Sequence, residues 1–187
     1  MNKDSVLYKD LKQILVTREE IAARIAEIGA EITRDYQGRE PVMICILKGA
    51  VVFFSDLMRA IDLPVTIDFM ATSSYGKATK TSGVVRVLKD LDQDILNKDV
   101  IIVEDIVDSG ITLNYLSSML RHRGAASIRI VTLLDKPARR RVQGLTVDYC
   151  CFDIPDEFVV GYGLDYDQKY RNLPDIGVLD PSVYTKP

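Results

Sequence analysis

The sequence predicts an α/β fold in which helices cover both faces of a mostly parallel sheet. Two continuous apolar runs, at residues 42–47 and 100–103, and a mainly aliphatic run at 128–134 have the character of buried parallel strands. Amphipathic helical patterns at 51–61 and 113–120 separate these runs. With 187 residues, 47% of them hydrophobic and 27% charged, we expect residues 1–187 to form one globular domain.

The composition limits the kinds of binding partner and the cellular compartment that we expect for this protein. The net charge of −3 and the pI near 5.2 predict no general attraction to nucleic acid or to an anionic membrane. Cys45, Cys150 and Cys151 are odd in number and lack metal-type spacing, so we expect buried free thiols. No apolar run approaches about 18 residues and the N-terminus is polar, which predicts a cytoplasmic protein with no signal peptide or membrane span.

The first predicted helix begins at a capping box. Thr17 stands three residues before Glu20, and an isoleucine stripe with three- and four-residue spacing follows, at Ile21, Ile25, Ile28 and Ile32. The aliphatic run at 42–47 then ends at Lys48 and Gly49, which break it before the helical stretch 51–61. This arrangement predicts the first strand, loop and helix unit.

Two further strands flank a polar segment. Val65, Ile67, Phe69 and Ala71 alternate with polar residues, which predicts a half-buried strand, and residues 84–88 predict another. The segment 73–83 between them is rich in hydroxyls, lysines and glycines, so it cannot pack firmly. The segment is interpreted either as a mobile lid over an active site or as a plain disordered hairpin tip.

Residues 100–112 are the most informative segment. Four aliphatic residues run into Glu104 and Asp105, where we expect the strand to end, and Asp108 opens the turn 108–112, which leads into a helix. Backbone N–H groups of a glycine-containing turn, together with a helix N-terminus, can bind phosphate without a lysine. The adjacent acids repel one another and require a cation or sugar hydroxyls.

The remaining segments supply one more strand and a basic cluster. Val147, Tyr149 and Cys151 alternate as a strand near the C-terminal part. Arg139 to Arg141 form a basic triplet that we expect to face solvent or a neighbouring subunit. Ligands of open α/β sheets bind beyond the carboxyl ends of the strands, and the candidate residues all emerge there.

The segment 100–112 resembles the 5-phosphoribosyl-1-pyrophosphate (PRPP) signature of the type I phosphoribosyltransferases. Other segments resemble the hypoxanthine-guanine branch of that family in order and spacing, and the match runs from about residue 10 to about residue 180. These companions are Leu47-Lys48-Gly49, Ser74-Tyr75, Asp135-Lys136-Pro137, residues 156–165 and Arg171.

The resemblance implies a fold, a reaction and an assembly. The expected type I phosphoribosyltransferase fold has a central five-stranded parallel core, a small hood built from the N- and C-terminal segments, and a mobile lid at about 73–83. The implied reaction is purine salvage: Mg²⁺-dependent transfer of the phosphoribosyl group from PRPP to hypoxanthine or guanine, with xanthine as a further base. The products would be IMP or GMP and pyrophosphate, and the expected assembly is a homodimer or homotetramer.

The resemblance also implies roles for individual residues. Asp108 would exchange a proton at purine N7. PRPP would bind to Glu104, Asp105, Asp108, Ser109, Gly110, Ile111 and Thr112, and its pyrophosphate to Lys48, Gly49, Ser74, Tyr75 and Arg171. The purine would bind to Lys136, Phe158, Val159 and Asp165, and Mg²⁺ to Glu104, Asp105 and Asp165. The family implies a cis peptide at Leu47–Lys48. Ile111 departs from members that carry lysine there.

Each of these residues also has a simpler interpretation. Alone, Asp108 would be a helix cap, Lys48-Gly49 a turn, Lys136 a solvated charge and Phe158 a core residue. Two alternative functions fit parts of the pattern: a pyrimidine-type phosphoribosyltransferase that also regulates by binding RNA, and a phosphoacceptor receiver domain. Lys136, residues 156–165 and the acidic pI disfavour the first. The second would need its acidic pair after the first strand.

Overall fold

The computed structural model describes residues 5–74 and 85–185. Its strands are β1 (Leu11–Val16), β2 (Val42–Leu47), β3 (Thr66–Ser74), β4 (Val85–Lys89), β5 (Asp99–Val107), β6 (Ser127–Asp135), β7 (Tyr149–Asp153), β8 (Val159–Val160) and β9 (Ile176–Leu179). Its α-helices are α1 (Arg18–Asp35), α2 (Val51–Ala60), α3 (Ile111–His122) and α4 (Pro181–Tyr184), and short 3₁₀ turns lie at Val6–Tyr8 and Pro137–Arg139.

The larger sheet has the strand order β4-β3-β2-β5-β6-β7. Its five strands β3, β2, β5, β6 and β7 are parallel, and β4 pairs antiparallel with β3 at the edge. The predicted α/β fold with a five-stranded parallel core is therefore confirmed, and β4 adds a sixth strand. Because the chain order reverses beside β2 and β5, the carboxyl ends of these two strands form a crevice suited to a ligand.

Helices cover both faces of this sheet, as the hydrophobic patterns predict. Thr17 and Glu20 form the predicted capping box at the start of α1: the Thr17 Oγ1 accepts from the Glu20 N–H, and the Glu20 carboxylate accepts from the Thr17 N–H at 2.8 Å. The isoleucine stripe of α1 is buried. Along β5, Ile101 and Val103 pack on the side of α1 and α2, whereas Val100 and Ile102 pack on the side of α3.

The burial of β3 differs from the predicted alternation. Ile67, expected to face the core, is 40% exposed, whereas Met70 is fully buried and Asp68 is 2% exposed. Asp68 is tolerated there because its carboxylate accepts hydrogen bonds from the backbone N–H groups of Asp92 and Gln93 at 2.9 and 3.1 Å. The segment between β4 and β5 thus folds over one face of β3, and a half-buried pattern does not anticipate that cover.

A second, three-stranded sheet joins the two ends of the chain. Strand β1 pairs antiparallel with β9, and β9 pairs antiparallel with β8. The Leu179 N–H also donates to the Phe158 carbonyl at 2.9 Å. We propose that this sheet is the hood expected over the base. The predicted lid, residues 73–83, lies outside the described residues from position 75 onward.

The compartment prediction depended on the state of the cysteines and on the apolar character of the helices. Cys45, Cys150 and Cys151 are free thiols; Cys45 and Cys151 are buried and Cys150 is half-buried. Burial raises the pKa of each thiol to about 12. In the part of the chain that is described, none of the helices combines the length and the apolar character that crossing a membrane requires.

Candidate active site

The acids of the signature lie inside β5 rather than after its end. Strand β2 pairs with β5 only as far as Cys45 and Val103, while β5 continues to Val107 against β6. The edge of β5 that would face β2 is therefore free at Glu104 and Asp105. The expectation that the strand ends at Glu104 and Asp105 is wrong, because β6 still pairs with β5 at Glu104, Ile106 and Val107.

These acids line a cleft of about 310 Å³ with the turn that follows them. The cleft also contains Asp108, Ser109, Gly110 and Thr112 from the turn, Lys48 and Gly49 from the end of β2, and Asp165 and Arg171 from the C-terminal part. Burial, and then repulsion from Asp105, raises the pKa of the Glu104 carboxyl well above its ordinary value. A cation or hydroxyl donors in this cleft would relieve that repulsion.

The turn before α3 has the geometry of an anion site. Gly110 caps the helix with φ of 79°, a conformation that favours glycine, and its carbonyl accepts from the Asn114 N–H at 2.9 Å. The first N–H groups of α3 have no helical acceptors and stand at the positive end of the helix dipole. Ile111 begins α3 and is half-buried. The turn can therefore hold a phosphate group by its backbone.

The opposite wall joins the end of β2 to the C-terminal part. The Leu47–Lys48 peptide is cis, as the resemblance implied. The Arg171 guanidinium donates to the Gly163 carbonyl at 2.7 Å and lies 2.6 Å from the Asp165 carboxylate. A Cβ at Gly163 would lie 2.1 Å from the Gly49 carbonyl oxygen. Close backbone packing therefore fixes the position of Lys48 and Gly49 against this wall.

A second cleft of about 320 Å³ adjoins the first. Its lining includes the four residues predicted to hold a purine, namely Lys136, Phe158, Val159 and Asp165. The Lys136 ammonium is buried and donates to the Glu157 carbonyl at 2.6 Å. Phe158 is 39% exposed, and its ring contacts Tyr166 and Tyr184. The cleft thus offers a flat aromatic surface beside a buried cation.

Asp108 lies where the two clefts meet. Asp105, Ile106, Asp108 and Asp165 line both clefts. The Arg139 Nε lies 2.5 Å from the Asp108 Oδ1, an atom shielded from solvent that accepts no well-directed hydrogen bond among the described residues. Arg139 also donates to Asp156 at 3.1 Å. A carboxylate in this position can exchange a proton with a group bound in the second cleft.

Two polar residues that line these clefts, Thr72 and Arg139, were not predicted, and one predicted residue lies outside the described part of the chain. Arg139 lines the second cleft although the triplet was expected to face solvent or a subunit, and its position three residues after Lys136 was the available signal. Thr72 lines the first cleft from β3. Ser74 ends β3, and Tyr75 lies outside the described residues.

The three predicted metal ligands lie in one cleft but do not converge on one point. Within residues 5–74 and 85–185, the one cluster of three candidate ligands whose atoms lie within 4.8 Å of each other is Asp135, Cys150 and Asp153. In this structure the carboxylates of Glu104, Asp105 and Asp165 are therefore not gathered around one point. Their carboxylates still suit Mg²⁺, which keeps several waters and is held by one or two carboxylates plus substrate phosphates.

Replacing Lys136 should change the pH dependence of folding. Burial lowers the pKa of Lys136 in the folded protein, while Asp108 and Asp156 act in the opposite direction. At a pH between that lowered pKa and 10.5, the Lys136 side chain holds more protons in the unfolded chain than in the folded protein. The charged lysine therefore lowers the free energy of unfolding at neutral pH, and this loss becomes smaller as the pH rises. Lys136→Met should therefore melt higher than wild type at pH 7, and the gap should narrow toward pH 10.5. Thermal melts across this range measure the gap, with the exposed Lys98→Met as the control; a gap that widens with pH would contradict the prediction.

A family model described as the phosphoribosyl transferase domain matches residues 12–167. The chain belongs to this family. It is 50% identical to a hypoxanthine-guanine phosphoribosyltransferase of Streptococcus thermophilus over 97% of this chain and 100% of the relative. It is 54% identical to a Mycobacterium tuberculosis protein of the same name over 94% of this chain and 89% of the relative.

Solved structures give the same result. A hypoxanthine phosphoribosyltransferase of Staphylococcus aureus superposes with a TM-score of 0.95 at 49% identity, covering 99% of this chain and 100% of that chain. The predicted resemblance to the bacterial hypoxanthine-guanine branch and the prediction of an enzyme of this family are confirmed. The family match also contradicts the receiver-domain alternative.

Proposed function

We propose that the protein transfers the 5-phosphoribosyl group of PRPP to hypoxanthine or guanine, releasing pyrophosphate and IMP or GMP. The observation that carries this proposal is the pair of adjoining clefts with Asp108 at their junction. One cleft combines a phosphate-binding turn with adjacent acids, and the other combines an aromatic face with a buried lysine. The relatives named for this activity support the choice of substrates.

The 5′-phosphate would bind the turn 108–112, which places the ribose beside Glu104 and Asp105. Their carboxylates would accept hydrogen bonds from the 2′- and 3′-hydroxyls. Lys48, Gly49 and Arg171 would meet the pyrophosphate on the opposite wall, with Ser74 and Tyr75 closing over it from the lid. This arrangement orients the anomeric carbon toward the second cleft, where the base attacks with inversion.

The transition state resembles an oxocarbenium ion, so negative charge develops on the leaving pyrophosphate. Lys48 and Arg171 would stabilise that charge, and the lid at 73–83 would exclude water that could capture the cation. Glu104, Asp105 and Asp165 would hold Mg²⁺ through one or two carboxylates and the substrate oxygens. When bound, Mg²⁺ would neutralise charge on the pyrophosphate. Asp108 would exchange the proton at purine N7 as the new bond forms.

Base selection would rest on Lys136. An ammonium donates to a 6-oxo group, and a 6-amino group cannot accept that bond, so hypoxanthine, guanine and xanthine would be favoured over adenine. Phe158 would stack on the purine ring, and the Val159 backbone would meet its edge. We place the enzyme in the cytoplasm as a homodimer or homotetramer that salvages purines.

Lys136→Met should reduce kcat/KM for hypoxanthine about 10- to 100-fold, because a hydrogen bond from a charged donor contributes about 1.5–3 kcal/mol. The rate with adenine should stay near its low wild-type value, so discrimination between the two bases should fall. Initial rates with both bases measure this change, and Lys98→Met serves as the exposed control. Equal losses for both bases would contradict the assignment of Lys136 to the 6-oxo group.

The proposal as a whole is tested by an ultraviolet assay of the purified protein with PRPP and Mg²⁺. Hypoxanthine, guanine, xanthine, adenine and uracil are supplied separately. We expect product with hypoxanthine or guanine and a loss of turnover when the metal is chelated. Product with adenine alone would overturn the assigned base preference. Product with uracil alone would support the pyrimidine-type alternative.

A further inference from the structure

The loop after β6 is built onto the phosphate-binding turn. Within this loop the Lys136 N–H donates to the Val107 carbonyl at 2.9 Å, and the Arg141 N–H donates to the Ser109 carbonyl at 3.0 Å. These two bonds hold the loop against the turn, and Arg140 is not among the residues that line the first cleft. Residues between the two bonds are therefore carried close to Gly110.

Arg140 occupies this position with a largely buried side chain. Its Nη2 donates to the Asp135 Oδ1 at 2.5 Å, and its side chain is 18% exposed. A Cβ at Gly110 would lie 3.2 Å from the Arg140 Cδ and 3.5 Å from its Nη1. That Nη1 is shielded from solvent and has no hydrogen-bond partner among the described residues. The expectation that the whole basic triplet faces solvent or a neighbouring subunit is wrong for Arg140.

The position of Arg140 matters for the charge around the turn. The turn itself, residues 108–112, contains no lysine or arginine, and Glu104, Asp105 and Asp108 surround it with carboxylates. A phosphate dianion bound there meets a locally negative field, which the helix N-terminus offsets only partly. The Arg140 guanidinium is paired with Asp135 through Nη2, and its unpartnered Nη1 lies beside Gly110. The ion pair therefore presents its positive end to the turn, at a place that solvent screens poorly.

We propose that Arg140 is a positioning residue for the 5′-phosphate site. Its aliphatic stem and Nη1 fix the backbone of Gly110, and its charge strengthens phosphate binding from behind the turn. Asp135 holds the guanidinium in place. The inference rests on the proposed function only in taking the ligand of the turn to be the phosphate of PRPP and of the product nucleotide.

The test compares ligands with and without the phosphate. Arg140→Met keeps the bulk of the stem and removes the charge, and Arg141→Met is the matched control, because Arg141 is exposed and contacts the turn through its backbone. Calorimetry measures the affinities of IMP, inosine and ribose 5-phosphate. We expect Arg140→Met to weaken IMP and ribose 5-phosphate about tenfold and to leave inosine unchanged. Arg140→Lys should lose less.

A second variant separates charge from structure. Adding Ile111→Lys to Arg140→Met places a cation at the start of α3, and it should restore most of the lost affinity for ribose 5-phosphate. A merely structural role would weaken IMP and inosine equally and would show no rescue, and either result overturns the inference. Should Arg140→Met fail to fold because Asp135 loses its partner, Arg140→Met with Asp135→Asn removes the uncompensated carboxylate and allows the same measurements.

The outcomes for the two proposals are distinguishable. Wild-type protein that does not bind IMP would contradict the proposed function. Wild-type protein that binds IMP, with Arg140→Met unchanged, would contradict only the role of Arg140. Ribose 5-phosphate needs the turn but not the purine cleft, so its affinity tests Arg140 whichever base the enzyme accepts.

Discussion

Asp108→Asn should bind PRPP nearly as tightly as wild type while turning over about 10²- to 10⁴-fold more slowly. Asparagine keeps the size and the polar character of the side chain, but it cannot accept and return a proton. Asp108 lines both clefts, so it is well placed for this exchange between the proposed PRPP site and the proposed purine site. Single-turnover rates and PRPP affinity, measured separately, report chemistry and binding.

The control for Asp108→Asn is Asp62→Asn, which changes the same functional group at an exposed loop position away from both clefts. It should leave turnover unchanged. Wild-type turnover by Asp108→Asn would remove the proton-transfer role. A large loss of PRPP affinity in that variant would instead assign Asp108 to ground-state binding, since its turn is the proposed phosphate site.

Gly49→Ala should lower kcat/KM by about 100-fold or more. A Cβ at this position would lie 1.5 Å from the Asp105 Oδ2, so either the carboxylate or the turn after β2 must move. Both belong to the proposed PRPP site, and a displacement of about 1 Å in a positioned group costs about 10²-fold in rate. Steady-state kinetics with varied PRPP measure the loss.

Gly144→Asn is the comparison for Gly49→Ala. Gly144 has φ of 76°, which asparagine tolerates better than most residues, and a Cβ there would meet nothing within 4 Å. This variant should keep wild-type kinetics. If Gly49→Ala also kept them, the close approach of Gly49 to Asp105 would have no role in arranging the site.

Strands, helix starts and turns that depend on residues close together in the sequence were predicted from those residues. The aliphatic runs became β2, β5 and β6, and the capping box began α1. The turn at 108–112 also follows from local rules, because a glycine with positive φ and a helix N-terminus are both encoded nearby. The assignment of residue roles depended instead on the family resemblance.

Features that depend on segments distant in the sequence could not be predicted in this way. Strand β5 continues past Glu104 because β6 pairs with it, and Asp68 is buried because the backbone at 92–93 donates to it. Arg140 looked like one of three solvated charges, yet Asp135 and Gly110 enclose it. A periodic pattern indicates which face of a strand or helix is apolar. It does not indicate which other segment of the chain will cover that face.

The sheet formed by β1, β9 and β8 affects the order in which the two halves of the proposed site can form during synthesis. Strand β8 and Phe158, at the proposed purine site, depend on β9, whose last residue is Leu179. The turn proposed to bind phosphate needs only residues 127–141 to pair with β5 and its turn. We therefore expect a ribosome-bound chain to assemble its proposed phosphate site before its proposed purine site. Truncation near the C-terminus should spare recognition of ribose 5-phosphate and abolish recognition of the nucleobase.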